Sequence, residues 1–287
     1  MQKIVDYTID ELMVVALARC ISDGALVFHG VASPLPMVAL YTAKMSHAPH
    51  MVYFAGVGGG IDPSPPLLPE STNDIWLTWG SIGVNTIDRV FDHFGNLEVD
   101  VMFFSGGQID KYGNINNSLM GDWKKPTTKF PGGAGACNLA SLTPKIVAWT
   151  TRHEAFVHPK TGKKIYTLVD KVDFRTTPGF LDGPGAREKA GCTPGTGPYK
   201  LITNLGVFCF DEKTKLMKLE SLHPDVTVDD ILENTEFKPI ISDKVLVTPP
   251  PTKEQVRLMR VEIDPYRIRI LEFRGGKEEC DKRRYKF

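Results

Sequence analysis

The chain has 287 residues, of which 34 are basic and 34 are acidic, so its formal net charge is zero. This length suits one large α/β domain or two small ones with a buried core. The balanced charge excludes nucleic acid and an acidic membrane surface as expected partners, and no apolar run reaches the ~18 residues that span a bilayer.

The cysteines are widely spaced and form no C-x-x-C pair; they are Cys20, Cys137, Cys192, Cys209 and Cys280. We therefore expect neither a disulfide framework nor a zinc site, and we expect a reducing cytoplasm as the location. The amino terminus lacks the apolar core of a signal peptide. Pro49 prevents a helical pairing of His47 and His50, so no metal site is expected there.

The first half of the chain alternates predicted helices and strands. Thr8-Ile9-Asp10-Glu11 is a capping box and predicts a helix after Thr8. Further on, the patterns predict strands over 25–28, 51–54, 99–104 and 145–149, and helices over 37–45 and 84–94. This alternation predicts an α/β fold with an open, mostly parallel sheet and helices on both faces. In such sheets the ligand crevice lies at the carboxyl ends of the strands.

The carboxyl-terminal part is predicted to be rich in β-structure. Short strands are expected over 165–169, 199–202, 207–210 and 216–219, with the last two forming a hairpin. Thr227 and Thr252 are expected to cap helices. We predict one domain over residues 1–270, followed by a charged tail over 271–287.

Two glycine-rich loops follow predicted strands. The loop from Gly56 to Gly60 matches neither G-x-G-x-x-G nor a P-loop. Its glycines are equally consistent with a tight packing turn and with a close approach to a ligand. The loop over 105–116 contains Gly106 and Gly107 together with four side chains that form hydrogen bonds: Gln108, Asp110, Asn114 and Asn116. It is either a ligand loop or a polar turn that satisfies its own backbone.

The third glycine-rich loop, over 131–140, has three glycines in four positions, Gly132, Gly133 and Gly135. Such a loop can present successive backbone N–H groups to an oxyanion or a pyrophosphate. The alternative is a bend between core elements. Cys137 has no neighbouring His or Lys, which favours a packed residue over a nucleophile.

The wording and order of five motifs resemble the β-type subunits of family I CoA-transferases, in particular those of the glutaconate type. The chain carries them as "SGGQIDKYGNINNSLMGD", "KFPGGAGACNLAS", "TTPGFLDGPGARE", "NLGVFCFDEKTKLMKLESLHP" and "VDDILENTEF", followed by "VEIDP". The resemblance extends from Thr8 to about Pro265. Parts of the chain, such as "PPPTKEQVRLMRVEIDP", are also similar to the β subunit of hydrolases that open a ring in CoA esters.

The resemblance implies a homologous α-type partner, a coenzyme A thioester as substrate and no bound cofactor. It implies that CoA or an oxyanion is bound by the loop that contains Gly132, Gly133, Gly135 and Ala136. The cleft residues that it implies are Phe54, Gly56, Gln108, Asp110 and Asn114.

The catalytic residue of this chain stays unknown at this stage. In glutaconate-type relatives a nucleophilic glutamate begins the motif Glu-Ser-Gly at a strand end and becomes a glutamyl-CoA thioester. This chain has Phe54-Ala55-Gly56 there. Asp62 matches a second acid that relatives carry. A phenylalanine cannot hold CoA as a thioester.

The function expected from the family is the transfer of CoA between carboxylic acids. Two alternatives remain open because of Phe54. The first is hydrolysis or decarboxylation at a C–C bond of a CoA-linked dicarboxylic or cyclic acid, as in family branches that have lost the glutamate. The second is a non-catalytic subunit that supports its partner.

Overall fold

The computed structural model describes residues 6–56, 58–159 and 162–284. The chain forms two compact units: the first contains the described residues up to 103 and from 249 onwards, and the second contains residues 104–248. The single domain over 1–270 stays a prediction. Within the described ranges, no helix is both long and apolar enough to cross a membrane.

The α-helices of the described residues are, in chain order, α1 (Ile9–Ala18), α2 (Pro34–Lys44), α3 (Ile87–Gly95), α4 (Ala136–Leu142), α5 (Ala186–Lys189), α6 (Val228–Asn234), α7 (Lys253–Arg257) and α8 (Gly276–Arg284). Two 3-10 turns, at Ile75–Thr78 and Ile268–Ile270, and a π-helix at Leu258–Ile263 complete the helical structure.

The strands are β1 (Leu26–His29), β2 (Val52–Ala55), β3 (Gly60–Ile61), β4 (Gly83–Val84), β5 (Val101–Phe104), β6 (Gln108–Asp110), β7 (Ile115–Asn116), β8 (Leu119–Asp122), β9 (Lys125–Lys129), β10 (Lys145–Thr150), β11 (Phe156–Val157), β12 (Lys164–Ile165), β13 (Leu168–Val169), β14 (Pro198–Thr203), β15 (Gly206–Phe210), β16 (Met217–Leu222) and β17 (Ile240–Val247).

In the first unit the strand order is β5-β1-β2-β3-β4. Strands β5, β1 and β2 are parallel, whereas β3 and β4 add antiparallel pairs at the edge. In the second unit β10 and β14 are parallel, β14, β15 and β16 form an antiparallel meander, and β17 pairs in parallel with β16. The predicted α/β class, with its mostly parallel sheet and β-rich carboxyl-terminal part, is confirmed.

Local signals locate most elements well. Helix α1 begins after Thr8, whose N–H donates to the Glu11 carboxylate, and the caps at Thr227 and Thr252 are also formed. Helix α2 begins three residues earlier than predicted because Pro34 occupies its first turn, where proline is tolerated. The sequence predicts a loop over 105–116, but this region contains β6 and β7, which at three and two residues are too short to show a strand pattern in the sequence. Strand β17 also lies outside the predicted strands.

A buried ionic cluster joins the carboxyl-terminal segment of the first unit to α1. The Arg269 guanidinium donates to Asp10 at 2.7 Å, Glu11 at 3.1 Å and Asp264 at 2.9 Å, and all four side chains are buried. Opposite charges that are hydrogen-bonded on all sides offset the cost of their desolvation. The cluster explains why charged residues occupy the first turn of an otherwise buried helix. In the region predicted as a charged tail, α8 buries Cys280.

Candidate active site

The residue at the expected nucleophile position lies inside an aromatic cluster of the first unit. Phe54 is on β2, opposite Phe28 of β1, and only 2% of its surface is exposed. Its ring centroid lies 6.5 Å from that of Phe28 and 5.1 Å from that of His93, which it meets edge to face. Phe94 packs edge-on against Phe28 at 5.4 Å. The cluster offers no nucleophile at this strand end.

The glycines of the loop after β2 are required by close packing. A Cβ on Gly56 would lie 2.0 Å from the Phe28 ring, and one on Gly60 would lie 1.7 Å from the Leu77 carbonyl oxygen. Gly59 has a φ of +82°, which favours glycine. Val57 lies outside the described residues. The packing supports a tight turn, and an approach of the loop to a ligand stays a prediction.

The second acid of the strand end is already paired. Both oxygens of Asp62 accept hydrogen bonds of 2.8 Å from Lys44 Nζ. The Asp62 N–H donates to the Tyr53 carbonyl at 2.7 Å, which holds the loop against β2. Asp62 is therefore engaged as an ion-pair partner of Lys44 in α2.

A titratable side chain touches Phe54: it is His93, at the carboxyl-terminal end of α3. Glu98 accepts a hydrogen bond from His93 Nδ1. On the other side of the ring, Nε2 lies 3.2 Å from Asn85 Nδ2, and the Asn85 N–H donates to the Gly59 carbonyl at 2.7 Å. The imidazole is thus connected to the glycine loop through Asn85. About a third of the His93 side chain is exposed.

A second polar group, formed by His29, Ser33 and Tyr53, is buried. His29 lies between Ser33 Oγ, at 2.7 Å from Nδ1, and the Tyr53 hydroxyl, at 2.6 Å from Nε2. Burial lowers the pKa of the His29 imidazole to about 3 and raises the pKa of the Tyr53 hydroxyl well above its ordinary value. The group is therefore neutral and hydrogen-bonded, which is typical of a structural element of the core.

The predicted polar cleft residues of the second unit bind one another. The Gln108 amide oxygen accepts from Asn116 Nδ2 at 2.7 Å and from the Asp173 N–H at 3.0 Å. Asp110 accepts two hydrogen bonds from Asn114 Nδ2 and two more from backbone N–H groups. Burial raises the pKa of the Asp110 carboxyl, against the opposing effect of these hydrogen bonds. These side chains maintain the shape of the loop.

Asn114 extends this network to the motif that begins at Thr176. Its side-chain oxygen accepts from the N–H groups of Gly179 at 2.8 Å and Leu181 at 3.1 Å. Nearby, Arg187 is buried and donates to the carbonyls of Gly179 at 2.7 Å and Ala140 at 2.9 Å. Arg187 thus binds carbonyl oxygens and a hydroxyl instead of an acid, and Asp182 pairs with Arg175 at 2.7 Å.

The third glycine loop rests on the second one. The Gly132 N–H donates to the Asn117 carbonyl at 2.8 Å, and the Ala136 N–H donates to the Gly133 carbonyl at 2.7 Å. A Cβ on Gly133 would lie 2.3 Å from the Thr176 methyl group. Two of the four predicted amide donors are therefore used internally. In the described part of the chain, the N–H groups of Gly133 and Gly135 have no acceptor.

The predicted site residues are divided between the two units. Phe54 and Gly56 belong to the first unit, whereas Gln108, Asp110, Asn114 and the loop over 132–136 belong to the second. Sequence reasoning missed His93, Glu98 and Asn85, and it gave no individual role to Thr176 and Arg187, which lie in a quoted motif. Isolated polar residues on a helix or in a turn carry no motif, so only their contacts reveal them. Among the described residues, no cluster of His, Cys, Asp and Glu could hold a metal ion.

Comparison with known proteins agrees with the motifs. The family model described as coenzyme A transferase matches residues 11–234. The β-type chain of glutaconate CoA-transferase from Acidaminococcus fermentans is 32% identical over 91% of this chain and 94% of its own length. The corresponding chain of 3-oxoadipate CoA-transferase from Pseudomonas knackmussii is 31% identical over 88% of this chain and 92% of its own. The IpdB subunit of the cholesterol ring-cleaving hydrolase of Rhodococcus jostii is 25% identical over 93% and 97%.

Solved structures agree as well. The crystal structure of glutaconate CoA-transferase from Acidaminococcus fermentans matches with a TM-score of 0.79 and 31% identity, over 92% of this chain and 97% of that one. The structure of the decarboxylase AibA/AibB matches with a TM-score of 0.78 and 32% identity, over 93% and 99%. The chain therefore belongs to the coenzyme A transferase family, as a β-type subunit.

Proposed function

We propose that this chain works with a homologous α-type subunit as an acyl-CoA-processing enzyme that uses no nucleophile at the end of β2. The observation that carries the proposal is Phe54. A buried aromatic ring occupies the strand end where glutaconate-type relatives have their glutamate, and the neighbouring acid Asp62 is paired with Lys44. A phenyl ring has neither a nucleophilic atom nor an exchangeable proton.

The reaction that best suits this arrangement is cleavage of a C–C bond in a CoA-linked dicarboxylic or cyclic acid, by hydrolysis or by decarboxylation. Neither reaction needs a glutamyl-CoA intermediate. Relatives of this kind are a decarboxylase and a ring-cleaving hydrolase. Phe54 would form part of an apolar wall near the acyl group.

CoA transfer is the second candidate, and the overall similarity favours it. The β-type chains of two CoA-transferases match this chain at 32% and 31% identity. Transfer would require a nucleophile outside this strand end, such as one on the α-type subunit.

For binding the thioester, we propose the loop that contains Gly132, Gly133, Gly135 and Ala136. The Gly133 and Gly135 N–H groups are the available donors for an oxyanion, since those of Gly132 and Ala136 support the loop itself. Gln108, Asp110 and Asn114 would act indirectly by maintaining the adjacent loop. No cofactor is required by this chemistry, and the cytoplasmic location stays a prediction from the spacing of the cysteines.

An exposed apolar segment of the first unit supports the proposed partner. The side chains of Ile75, Trp79 and Ile82 are 77%, 62% and 76% exposed, and the rings of Trp76 and Trp79 stack with centroids 6.1 Å apart. Between them, buried Leu77 anchors the segment under the glycine loop. Such a patch on a protein surface is typical of an interface.

The deciding experiment uses the complex purified with its α-type subunit. It is incubated with a panel of acyl-CoAs, with and without acceptor carboxylates, and the CoA species are followed by mass spectrometry. Addition of water or loss of CO₂ without an acceptor is the expected result. New acyl-CoA that forms only with an acceptor would instead establish transfer. A complex that binds but never changes any acyl-CoA would favour a non-catalytic role.

A further inference from the structure

The side chain best placed for proton transfer at the strand end is His93. Its ring contacts Phe54 edge to face with centroids 5.1 Å apart, so an acid/base group lies beside the residue that replaces the glutamate. Phe54 itself is buried, whereas about a third of the His93 side chain reaches solvent. Any acyl group that reaches the Phe54 wall would therefore come close to an imidazole.

The two ring nitrogens of His93 have different partners. Nδ1 donates to the Glu98 carboxylate, which fixes the tautomer and the orientation of the ring. Nε2 then carries the lone pair, and it faces Asn85 Nδ2 at 3.2 Å. A carboxylate behind one nitrogen is the arrangement by which histidine acts as a general acid and base; Nε2 exchanges protons when water or substrate takes the place of the Asn85 amide.

Asn85 and Glu98 are both held by the backbone around the site. The Asn85 N–H donates to the Gly59 carbonyl at 2.7 Å, and a Cβ on Gly59 would lie 2.9 Å from the Asn85 carbonyl oxygen. The Glu98 N–H donates to the His93 carbonyl at 3.0 Å. The glycine loop after β2 therefore positions the imidazole through Asn85, which gives this loop a role although it carries no reactive side chain.

We propose that His93, oriented by Glu98 and Asn85, is the proton-transfer residue of this chain in C–C bond cleavage; the inference rests on the function proposed above. In hydrolysis, Nε2 takes a proton from water while the water oxygen bonds to the carbonyl carbon under attack. The C–C bond then breaks, and its electron pair stays on the carbon nearer the thioester. Nε2 returns its proton to that carbon, so one water is consumed and the imidazole ends neutral.

In decarboxylation the same nitrogen donates a proton to carbon but takes none from an attacking water. CO₂ leaves, the bond electrons stay on the carbon conjugated with the thioester, and the imidazolium gives that carbon its proton. The imidazole regains a proton from water. In both reactions the step that depends on His93 is the protonation of carbon.

The test compares His93→Gln and Glu98→Gln in the complex with the α-type subunit. His50→Gln is the matched control, because His50 Nδ1 also pairs with a carboxylate, Asp23 at 2.8 Å, but its side chain is 80% exposed and contacts no ring of the site. We expect His93→Gln to lower kcat on the order of 100-fold with unchanged acyl-CoA affinity. Glu98→Gln should lower kcat less and shift the pH profile of kcat/KM, and the control should match the wild type.

His93→Ala provides a second, independent measurement. Added imidazole should restore part of its kcat, which a merely structural histidine would not allow. Melting temperature and complex formation are measured for each variant to verify folding.

The outcomes separate this inference from the proposed function. A wild type that cleaves its substrate, together with a His93→Gln variant that cleaves at the same rate, would overturn the role of His93 alone. A wild type that changes acyl-CoA only when an acceptor is present would overturn both. Loss of activity without imidazole rescue and with an unchanged pH profile in Glu98→Gln would assign His93 a structural role and contradict the proposal.

Discussion

At the scale of single residues, the strand end that carries Phe54 is the position on which the proposed function depends. Phe54 stands where the family resemblance predicts a glutamate, and its ring contacts those of Phe28 and His93. Because a buried ring contributes to packing, this contribution has to be separated by experiment from the proposed role of Phe54 in a pocket wall.

We therefore predict different effects for Phe54→Leu and Phe94→Leu. Both remove a buried ring from the same cluster, so each should lower the free energy of unfolding by about 1.5 kcal/mol. Only Phe54→Leu should also raise the KM for acyl-CoA, since the proposed acyl wall contains Phe54, whereas Phe94 packs edge-on against Phe28. Urea denaturation and steady-state kinetics measure the two effects. Equal kinetics in the two variants would place Phe54 outside the acyl pocket.

At the scale of elements, the segment 75–84 combines a buried anchor with exposed apolar side chains. Leu77 is completely buried under the glycine loop, whereas Ile75, Trp79 and Ile82 face outward. Strand β4, which ends this segment, is the edge strand in the order of the first unit. Exposed apolar residues beside a sheet edge are a liability unless they are covered.

We predict that Trp79→Asp weakens the affinity for the α-type subunit roughly 30-fold, which corresponds to about 2 kcal/mol. The reason is that a charge would have to be desolvated in an apolar interface. Isothermal titration calorimetry with separately purified subunits measures the change. The matched control is Val261→Asp in the π-helix of the same unit, at a side chain 64% exposed. Equal affinity of both variants for the α-type subunit would locate the interface elsewhere.

At the scale of the whole molecule, buried histidines couple stability to pH. In the second unit, His153 lies between the hydroxyls of Thr203 and Thr235, and His223 lies between the Thr248 hydroxyl and the Thr203 carbonyl. Burial lowers the pKa of His153 to about 3 and that of His223 to about 4, and His29 of the first unit behaves in the same way.

The direction of the pH effect follows from these lowered pKa values. Below the ordinary histidine pKa of about 6.5, these histidines bind protons in the unfolded chain but not in the folded chain. Acid therefore favours unfolding. Stability should be nearly unaffected by these groups above pH 7 and should fall by about 1.4 kcal/mol for each of the three histidines at pH 5.5. Urea denaturation at pH 7.5 and 5.5 measures the difference. A His223→Gln variant should show a shallower pH dependence; an unchanged slope would mean that His223 is accessible to protons when folded.

Much of the fold is predictable because local chemistry determines it. The capping residues Thr8, Thr227 and Thr252 each begin a helix where expected, and the predicted hairpin is β15–β16. The short strands β6 and β7 are not predictable, since Gln108 and Asn116 are polar residues that pair only because the loop folds back on itself.

By itself, the sequence determined the family, through five motifs in order, and the identity of the residue at the strand end, through Phe54-Ala55-Gly56. Both are properties of the linear chain. Only the tertiary structure decided that His93 touches Phe54. It also decided that the Asn117 carbonyl accepts from the Gly132 N–H, and that Asp110 accepts hydrogen bonds from Asn114. The contacts of Phe54 with His93 and of Asn117 with Gly132 join residues that are distant along the chain. They depend on strand register and close packing, which no local propensity encodes.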